Sequence, residues 1–516
     1  MATWFKKLES FLLYVLIFLL PFNQRYIFNF AQIEHLPFFK EPITISLYLF
    51  DIVLLLLMVL SFSELSVQLK LSKINKTSAK PVKSSSSNIT SKTYRQKLTS
   101  LARNAGKHPR PLIYFALFLW FSFFLTNHYQ PIIDFNLKYL GYQNNWYFFL
   151  RLNEGLLLFW LTKRLLDQYT VANYAKAILF FGGVIQAVIA CGQFFRQKAL
   201  GLYFLGESHF NSEQYGVAKF LFDHQKFIRA YGTFPHPNIL GFFLLLALAA
   251  GFNLLKNKQD SFRQLRWPYK LIILLGFIII EIGLLLTYSR LIIFLSFILI
   301  TLFLYSQKRF LLRFYQTACQ KLKIPFFLRS ALIIILFFTA IFTVYNLISP
   351  RLCLHCPSDE SLHYRQLYNK YSREIIKGHY FLGIGGGNFL PGLLHYTPQD
   401  STLSPWRYQP VHNIYLLITA ELGLIGLLLF LFLLFFSVNP WQLLLSLPKQ
   451  PLKFIFIAVI IIGFFDHYFW TTPQGQWLFW LSLAFIFAGE NKKIDSPLYH
   501  FNIVLKNIRQ LLREIS

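Results

Sequence analysis

The sequence predicts an all-α polytopic membrane protein of about twelve transmembrane helices, with a long outward loop that contains short amphipathic helices. Three observations point there. Only 14% of the residues are charged and 55% are hydrophobic, where soluble globular chains carry about 25% charged residues. Apolar runs of near-spanning length recur along the chain, and lysine and arginine concentrate in alternate connections between them. A soluble helical protein is excluded, because helices apolar on every face need either lipid or a large protein interior around them.

Taken in order, the stretches that approach the roughly 17 to 25 residues of a bilayer crossing are Ile43 to Leu60, Leu112 to Leu125, Tyr174 to Ala190, Ile239 to Leu255, Leu271 to Leu286, Leu291 to Leu304, Ala331 to Leu347, Leu422 to Phe436, Phe454 to Phe465 and Trp477 to Ala488. The shorter ones borrow uncharged flanking residues. Two weaker runs, Phe11 to Phe28 and Trp146 to Leu161, complete the set. No small-residue cleavage site follows the first run, so it reads as an anchor.

The charge pattern sets the topology. With both termini cytoplasmic, segments 1–9, 61–110, 162–170, 255–270, 307–329, 437–453 and 488–516 fall inside. They hold 33 of the 50 Lys and Arg and 7 of the 22 Asp and Glu, a net +26 that leaves +2 for the rest. That asymmetry is the positive-inside pattern; it accounts for the basic balance and removes the need for a nucleic-acid partner. The chain divides into an N-terminal transmembrane hairpin (1–60), a basic cytoplasmic loop (61–110), a central transmembrane region (111–348) with an outward loop at 192–237, an outward substrate-binding loop (349–411), a C-terminal transmembrane region (412–488) and a cytoplasmic tail (489–516). This places the protein in the cytoplasmic membrane, with its polar machinery facing the periplasm or exterior.

The connections have distinct characters. Residues 71–110, rich in Lys, Ser and Thr, read as a loosely ordered loop that can meet anionic lipid. The tail stretch "FNIVLKNIRQLLREI" reads as a surface amphipathic helix. In the second outward segment Tyr364, Leu367, Tyr371 and Ile375 stand at helical spacing, followed by "GIGGGNF" at Gly383 to Phe389. This predicts an amphipathic helix and a tight glycine turn that roof an outward cavity. Cys353 and Cys356 fit a local disulfide on the outer side; a zinc site with His355 lacks further ligands. Cys191 and Cys319 read as structural.

The functional candidates are polar residues at the mouths of apolar runs. Arg290 stands in an outward turn between "LLLTYS" and "LIIFLSF", against the positive-inside trend, and its planar fork suits a phosphate group. Arg229, at the foot of "GTFPHPN", supplies a second donor. His412 stands near the outer surface, where an imidazole can take a proton from an attacking hydroxyl. Asn413 and Tyr415 beside it can orient substrate hydroxyls. Glu421 lies deeper in the same run and must meet an arginine, a hydroxyl or water, because an unpaired buried carboxylate costs several kcal/mol. Arg151 and Glu154, three apart, read as a structural ion pair. The set makes chemical sense for a glycan donor linked through diphosphate to a long lipid. The leaving group is then an anion that arginines steady, and no nucleotide is needed, because the diphosphate linkage is already activated.

Five pieces, "RAYGTFPHPNILG" at 229–241, "TYSRLIIF" at 287–294, "FLGIGGGNF" at 381–389, "HNIYLLITAELGLIG" at 412–426 and "TTPQGQWLFW" at 471–480, together resemble the O-antigen ligase and polymerase superfamily, multispan proteins with a Wzy-C type membrane region. The resemblance covers roughly Arg229 to Ala488. It implies metal-independent, inverting transfer of a polyprenyl-diphosphate-linked glycan on the outer face of the cytoplasmic membrane. It implies His412 as the active histidine and Arg290 as the phosphate-binding arginine. Arg229, His236, Asn238, Asn413 and Glu421 match further polar positions of the family. The acceptor hydroxyl, on a lipid core, a glycan or a protein, stays open, and the resemblance favours an O-antigen ligase-like transferase over a repeat-unit polymerase or a protein O-oligosaccharyltransferase. Solute transport is disfavoured, since no repeated half is visible.

Overall fold

The structure, a computed structural model, describes residues 2–28, 45–77, 110–128, 135–214, 216–222, 225–257, 266–308, 360–396, 409–435, 440–448 and 450–488. Cys319, Cys353, His355, Cys356, the run Ala331 to Leu347, most of the serine-rich loop and the amphipathic tail lie outside the described residues.

Helices dominate, as expected. In chain order they are α1 (Ala2–Leu19), α2 (Leu49–Thr77), α3 (Arg110–His128), α4 (Phe135–Leu166), α5 (Tyr169–Arg196), α6 (Pro237–Asn257), α7 (Trp267–Leu286), α8 (Arg290–Ser306), α9 (Glu360–Gly378), α10 (Phe389–Tyr396), α11 (Ile414–Phe435), α12 (Pro440–Ser446), α13 (Pro451–Gly463), α14 (Tyr468–Thr471) and α15 (Pro473–Phe487). Two antiparallel hairpins depart from the all-α expectation: β1 (Arg25–Ile27) with β2 (Ser46–Tyr48), and β3 (Lys219–Phe222) with β4 (Gln225–Ile228). Both sit in connections, where short ladders satisfy backbone groups that no helix takes up.

Among the described residues four helices are long and apolar enough to cross a bilayer, Tyr169–Arg196, Pro237–Lys256, Trp267–Leu286 and Ile414–Phe435, and three shorter apolar stretches accompany them, Ile113–Leu125, Arg290–Ser306 and Pro451–Gly463. Some expected bounds move. The first run is helical over Ala2–Leu19 rather than Phe11 to Phe28, since Pro21 follows the helix end and Arg25–Ile27 pairs as a strand. Helix α11 starts at Ile414, ahead of the expected Leu422.

Helix α6 forms the centre. From Ile239 to Ala250 its side chains are almost wholly buried, and α5, α7, α8 and α13 surround it. A helix apolar on every face can be this deeply covered by protein only if its neighbours approach closely. Small residues allow that: a Cβ on Gly183 of α5 would press on Ala247, and one on Gly283 of α7 on Ala187.

Polar contacts separate the two ends of the bundle. At one end Arg164 binds Glu9 at 2.6 Å and Ser61 at 2.9 Å, with Glu64 at 3.9 Å. These residues belong to connections that the charge pattern groups on one side. At the other end the Thr233 hydroxyl donates to the Pro21 carbonyl and Gln474 to Asn23. All the candidate residues from loop 229–238 and the start of α11 gather at this second end.

Helix α11 is interrupted at Gly423, which has φ 70°. A break in a spanning helix exposes backbone groups that lipid cannot satisfy, so it is tolerated only where protein covers it. The glycine-rich segment after α9 does this. Ile384 N–H donates to the Ala420 carbonyl at 3.0 Å, Gly385 N–H to that of Glu421 at 2.8 Å, and Leu424 N–H to that of Tyr380 at 2.9 Å. Gly383, at φ 69°, and Gly423 are both left-handed, and a Cβ on either would overlap the facing backbone. The glycine turn thus packs on the spanning helix, and α9 is fixed over the mouth of α11.

Candidate functional site

The loop before α6 is held from below. Gln186 and Gln193, two turns apart on α5, are fully buried. Gln193 donates to Glu207 at 2.8 Å and to the Gly232 carbonyl at 2.7 Å, and accepts from Tyr231 and Gly232 N–H. Gln186 accepts from Thr233 N–H at 3.0 Å. Gln193 fixes conformation with both its donor and its acceptor partnered, whereas Gln186 contributes its acceptor alone, its buried Nε2 having no partner among the described residues. They fix the turn that presents Arg229, His236 and Asn238.

From that turn a polar chain runs across the bundle. Arg229 donates from Nε to the Thr287 carbonyl and from Nη2 to Asn238 Oδ1, each at 2.6 Å. Asn238 Nδ2 donates to Asp466 Oδ2 at 2.6 Å, and Asp466 Oδ1 accepts from His467 N–H at 2.8 Å. The His467 ring pairs through Nδ1 with Thr471 Oγ1 at 2.7 Å and stands perpendicular to the His412 ring, centroids 4.8 Å apart. His236 Nδ1 accepts from Asn238 N–H at 3.2 Å. The structure therefore joins Arg229, His236, Asn238 and His412 into one cluster, through two residues that the sequence reading missed, Asp466 and His467.

The Arg229 side chain is buried, with Nε and Nη2 committed to Thr287 and Asn238. The turn that it grips leads straight to Arg290, an exposed residue that opens α8. Tyr288 in this turn has φ 49°, an outlier for a bulky residue, held by stacking on Phe220 of β3 at 3.8 Å. Local strain of this kind costs about 1–3 kcal/mol and persists only where surrounding structure imposes it.

His412 lies between His467 and Tyr368 of α9, whose ring stacks parallel to its own with centroids 6.0 Å apart. Its Nδ1 is buried and has no hydrogen-bond partner among the described residues. Burial pushes the ring well below the usual histidine range, and the nearby His467, Arg365 and His236 add to this while Asp466 opposes it. His467 is lowered in the same sense, by burial first, with Asp466 opposing and Arg365 adding. For Asp466 burial acts upward, but the neighbouring His467, His412 and His236 and the bond from Asn238 outweigh it and hold the carboxyl below its ordinary range. The site at neutral pH is a neutral imidazole beside an ionised carboxylate. That is the protonation state in which a histidine accepts a proton and a carboxylate steadies the resulting charge.

The remaining candidates also make contacts within the protein itself. Asn413 caps α11, its Oδ1 accepting from Tyr415 and Leu416 N–H at 3.0 Å each. The Tyr415 hydroxyl donates to the Ile460 carbonyl at 2.9 Å and ties α11 to α13. Glu421 meets neither arginine nor hydroxyl: Trp470 Nε1 donates to it at 2.8 Å and Phe389 N–H at 3.2 Å. A cavity lined by Phe148, Arg151, Glu421, Trp470 and Thr471 lies beside it, bounded also by Gly387 and Phe389 of the outer segment. Arg151 pairs with Glu154 at 2.6 Å, as expected, and with Asp51 at 2.7 Å, which the sequence reading missed. No cluster of His, Cys, Asp and Glu with metal-binding geometry occurs among the described residues.

Residues 272–431 match the family model described as O-antigen ligase. The matched stretch runs from α7 through most of α11 and includes Arg290, Arg365, Tyr368, His412 and Glu421. No curated protein matches the chain.

Proposed function

We propose, for a membrane protein whose residues 272–431 belong to the O-antigen ligase family, that the chain transfers a glycan from a polyprenyl-diphosphate donor to an acceptor hydroxyl. The acceptor oxygen attacks the anomeric carbon while its proton passes to His412. The bond from that carbon to the diphosphate oxygen breaks, and the electron pair leaves with the lipid diphosphate. Attack opposite the leaving group inverts the anomeric centre. Arg290 carries the diphosphate charge, and Asp466 stabilises the imidazolium that forms on His412. The proton returns to solvent as product leaves. Asn238, Arg229 and His236 hold this frame, and the free amide of Asn413 is left for the acceptor.

The observation that carries this reading is the buried, unpartnered Nδ1 of a neutral His412 set beside an ionised Asp466. A histidine retained only for packing gains nothing from such an arrangement. The reaction belongs on the outer face of the cytoplasmic membrane, with both termini inside, as the charge asymmetry indicates. A repeat-unit polymerase or a protein O-oligosaccharyltransferase shares the donor half of this chemistry. The test is purified protein incubated with one lipid-diphosphate glycan and separate lipid-core, glycan and peptide acceptors, with products identified by mass. Transfer to the lipid core supports ligation. Transfer to none of them, with release of lipid diphosphate absent, refutes the proposal.

A further inference from the structure

Two donors of Arg229 are committed within the protein, and a different arginine faces the same cluster. Helix α9 lays Tyr368 over His412, and Arg365, three residues earlier, shares that face. Arg365 stands close enough to charge the surroundings of both His412 and His467. Its Nε is buried without a hydrogen-bond partner, and no carboxylate pairs with it among the described residues. Arg151, whose side chain lines the cavity beside Glu421, differs, being held by Asp51 and Glu154. A buried guanidinium N–H without an acceptor is unfavourable until a ligand oxygen supplies one.

We propose that Arg365 is an anion anchor of this site, carried on α9, which binds the diphosphate of the lipid-linked donor. The inference rests on the functional reading above. A fork of N–H donors suits two phosphate oxygens at once, where a lysine offers only a point charge. The position has a consequence for the chemistry. In the empty site the cation disfavours protonation of His412; a bound diphosphate offsets that charge, so donor binding raises the proton affinity of the base. Arg365 thereby links occupancy to readiness for proton transfer.

Binding of polyprenyl diphosphate without glycan, polyprenyl monophosphate and phosphatidylglycerol to the full-length protein in neutral detergent tests this. Arg365→Gln, Arg365→Lys and Arg373→Gln are compared with wild type; Arg373 is exposed on the same helix. Arg365→Gln should weaken diphosphate binding about tenfold or more, with smaller loss for the monophosphate and none for phosphatidylglycerol. Arg365→Lys should recover part of the affinity, and Arg373→Gln should match wild type. Thermal unfolding of each variant separates lost folding from lost binding. Wild-type diphosphate affinity in a folded Arg365→Gln variant overturns the assignment and leaves the transfer reaction standing. Equal loss of phosphatidylglycerol binding also overturns it, marking a general headgroup contact. If wild-type protein binds no lipid diphosphate, the functional reading falls and takes this inference with it.

Discussion

Replacement of His412 by glutamine removes proton transfer while leaving a side chain of similar reach. The ring makes an edge contact with His467 and a stack with Tyr368, and such pairs are worth about 0.5–1.5 kcal/mol each. The fold should therefore survive with a modest fall in thermal midpoint. General-base catalysis contributes about 10²–10⁴ in rate, or roughly 3–5 kcal/mol of barrier. Turnover should drop by that factor while donor affinity changes little. The pH dependence gives a second signature. Burial, with His467, Arg365 and His236, lowers His412 below its ordinary value, so its active neutral form is complete above about pH 6.5 and persists below it. Wild-type activity should hold through pH 6.5 and fall only as pH drops through the depressed value. Stability follows the same sign, since protonating a ring that is buried neutral works against folding. The assay is release of lipid diphosphate from a glycan donor across about pH 2.5–8, a range that takes in both the depressed value of about 3 and the ordinary histidine value. More than a tenth of wild-type turnover in the glutamine variant, or an acid limb unchanged by it, would refute the base assignment.

Asp466→Asn removes the charge that opposes the lowering of His412, so the acid limb should move to still lower pH while turnover falls about ten- to a hundredfold, because a weaker base transfers less effectively. Arg229→Gln breaks charged donors to Thr287 and Asn238, and a loss of about 3 kcal/mol should appear as a lower thermal midpoint together with lower activity. Gly423→Ala forces a side chain into a left-handed position against the Phe381 carbonyl; strain of at least about 1–2 kcal/mol should reduce the yield of folded protein. Arg151→Met leaves Asp51 and Glu154 facing each other and should cost about 3–5 kcal/mol, part of which the added change Glu154→Gln should restore.

How far the sequence discloses the site depends on the kind of signal each residue gives. Arg290 and His412 stand out in the sequence as candidates because polar groups at the mouths of apolar runs are costly and need a reason. The same reasoning reaches Asp466 and His467 in "FFDHYFW", where a carboxylate and an imidazole interrupt an aromatic run. Arg229 looks like a surface donor because nothing in "RAYGTFPHPN" reveals the buried glutamines of α5 that draw the loop inward. Asn413 stands directly before an apolar helix, a local capping pattern that occupies its Oδ1. The partners of Glu421 follow from the break at Gly423 and from the packing of a segment some forty residues away in sequence, neither of which periodicity shows. Arg365 is hidden for a different reason: it sits within a helix whose apolar stripe, Tyr364, Leu367, Tyr371 and Ile375, is what the spacing reports. Helix existence survives this comparison better than helix bounds, because length and hydrophobicity fix the first and Pro21 or Gly423 fix the second.

The most direct test of the transfer chemistry is the stereochemistry and stoichiometry of one turnover. A donor of known anomeric configuration is incubated with protein and acceptor, the new linkage is assigned by NMR, and released lipid diphosphate is counted against product. The account predicts one lipid diphosphate per glycan transferred and an inverted anomeric centre, both lost in Arg290→Gln and His412→Gln. Retention of configuration, or movement of the glycan with its diphosphate still attached, would contradict it.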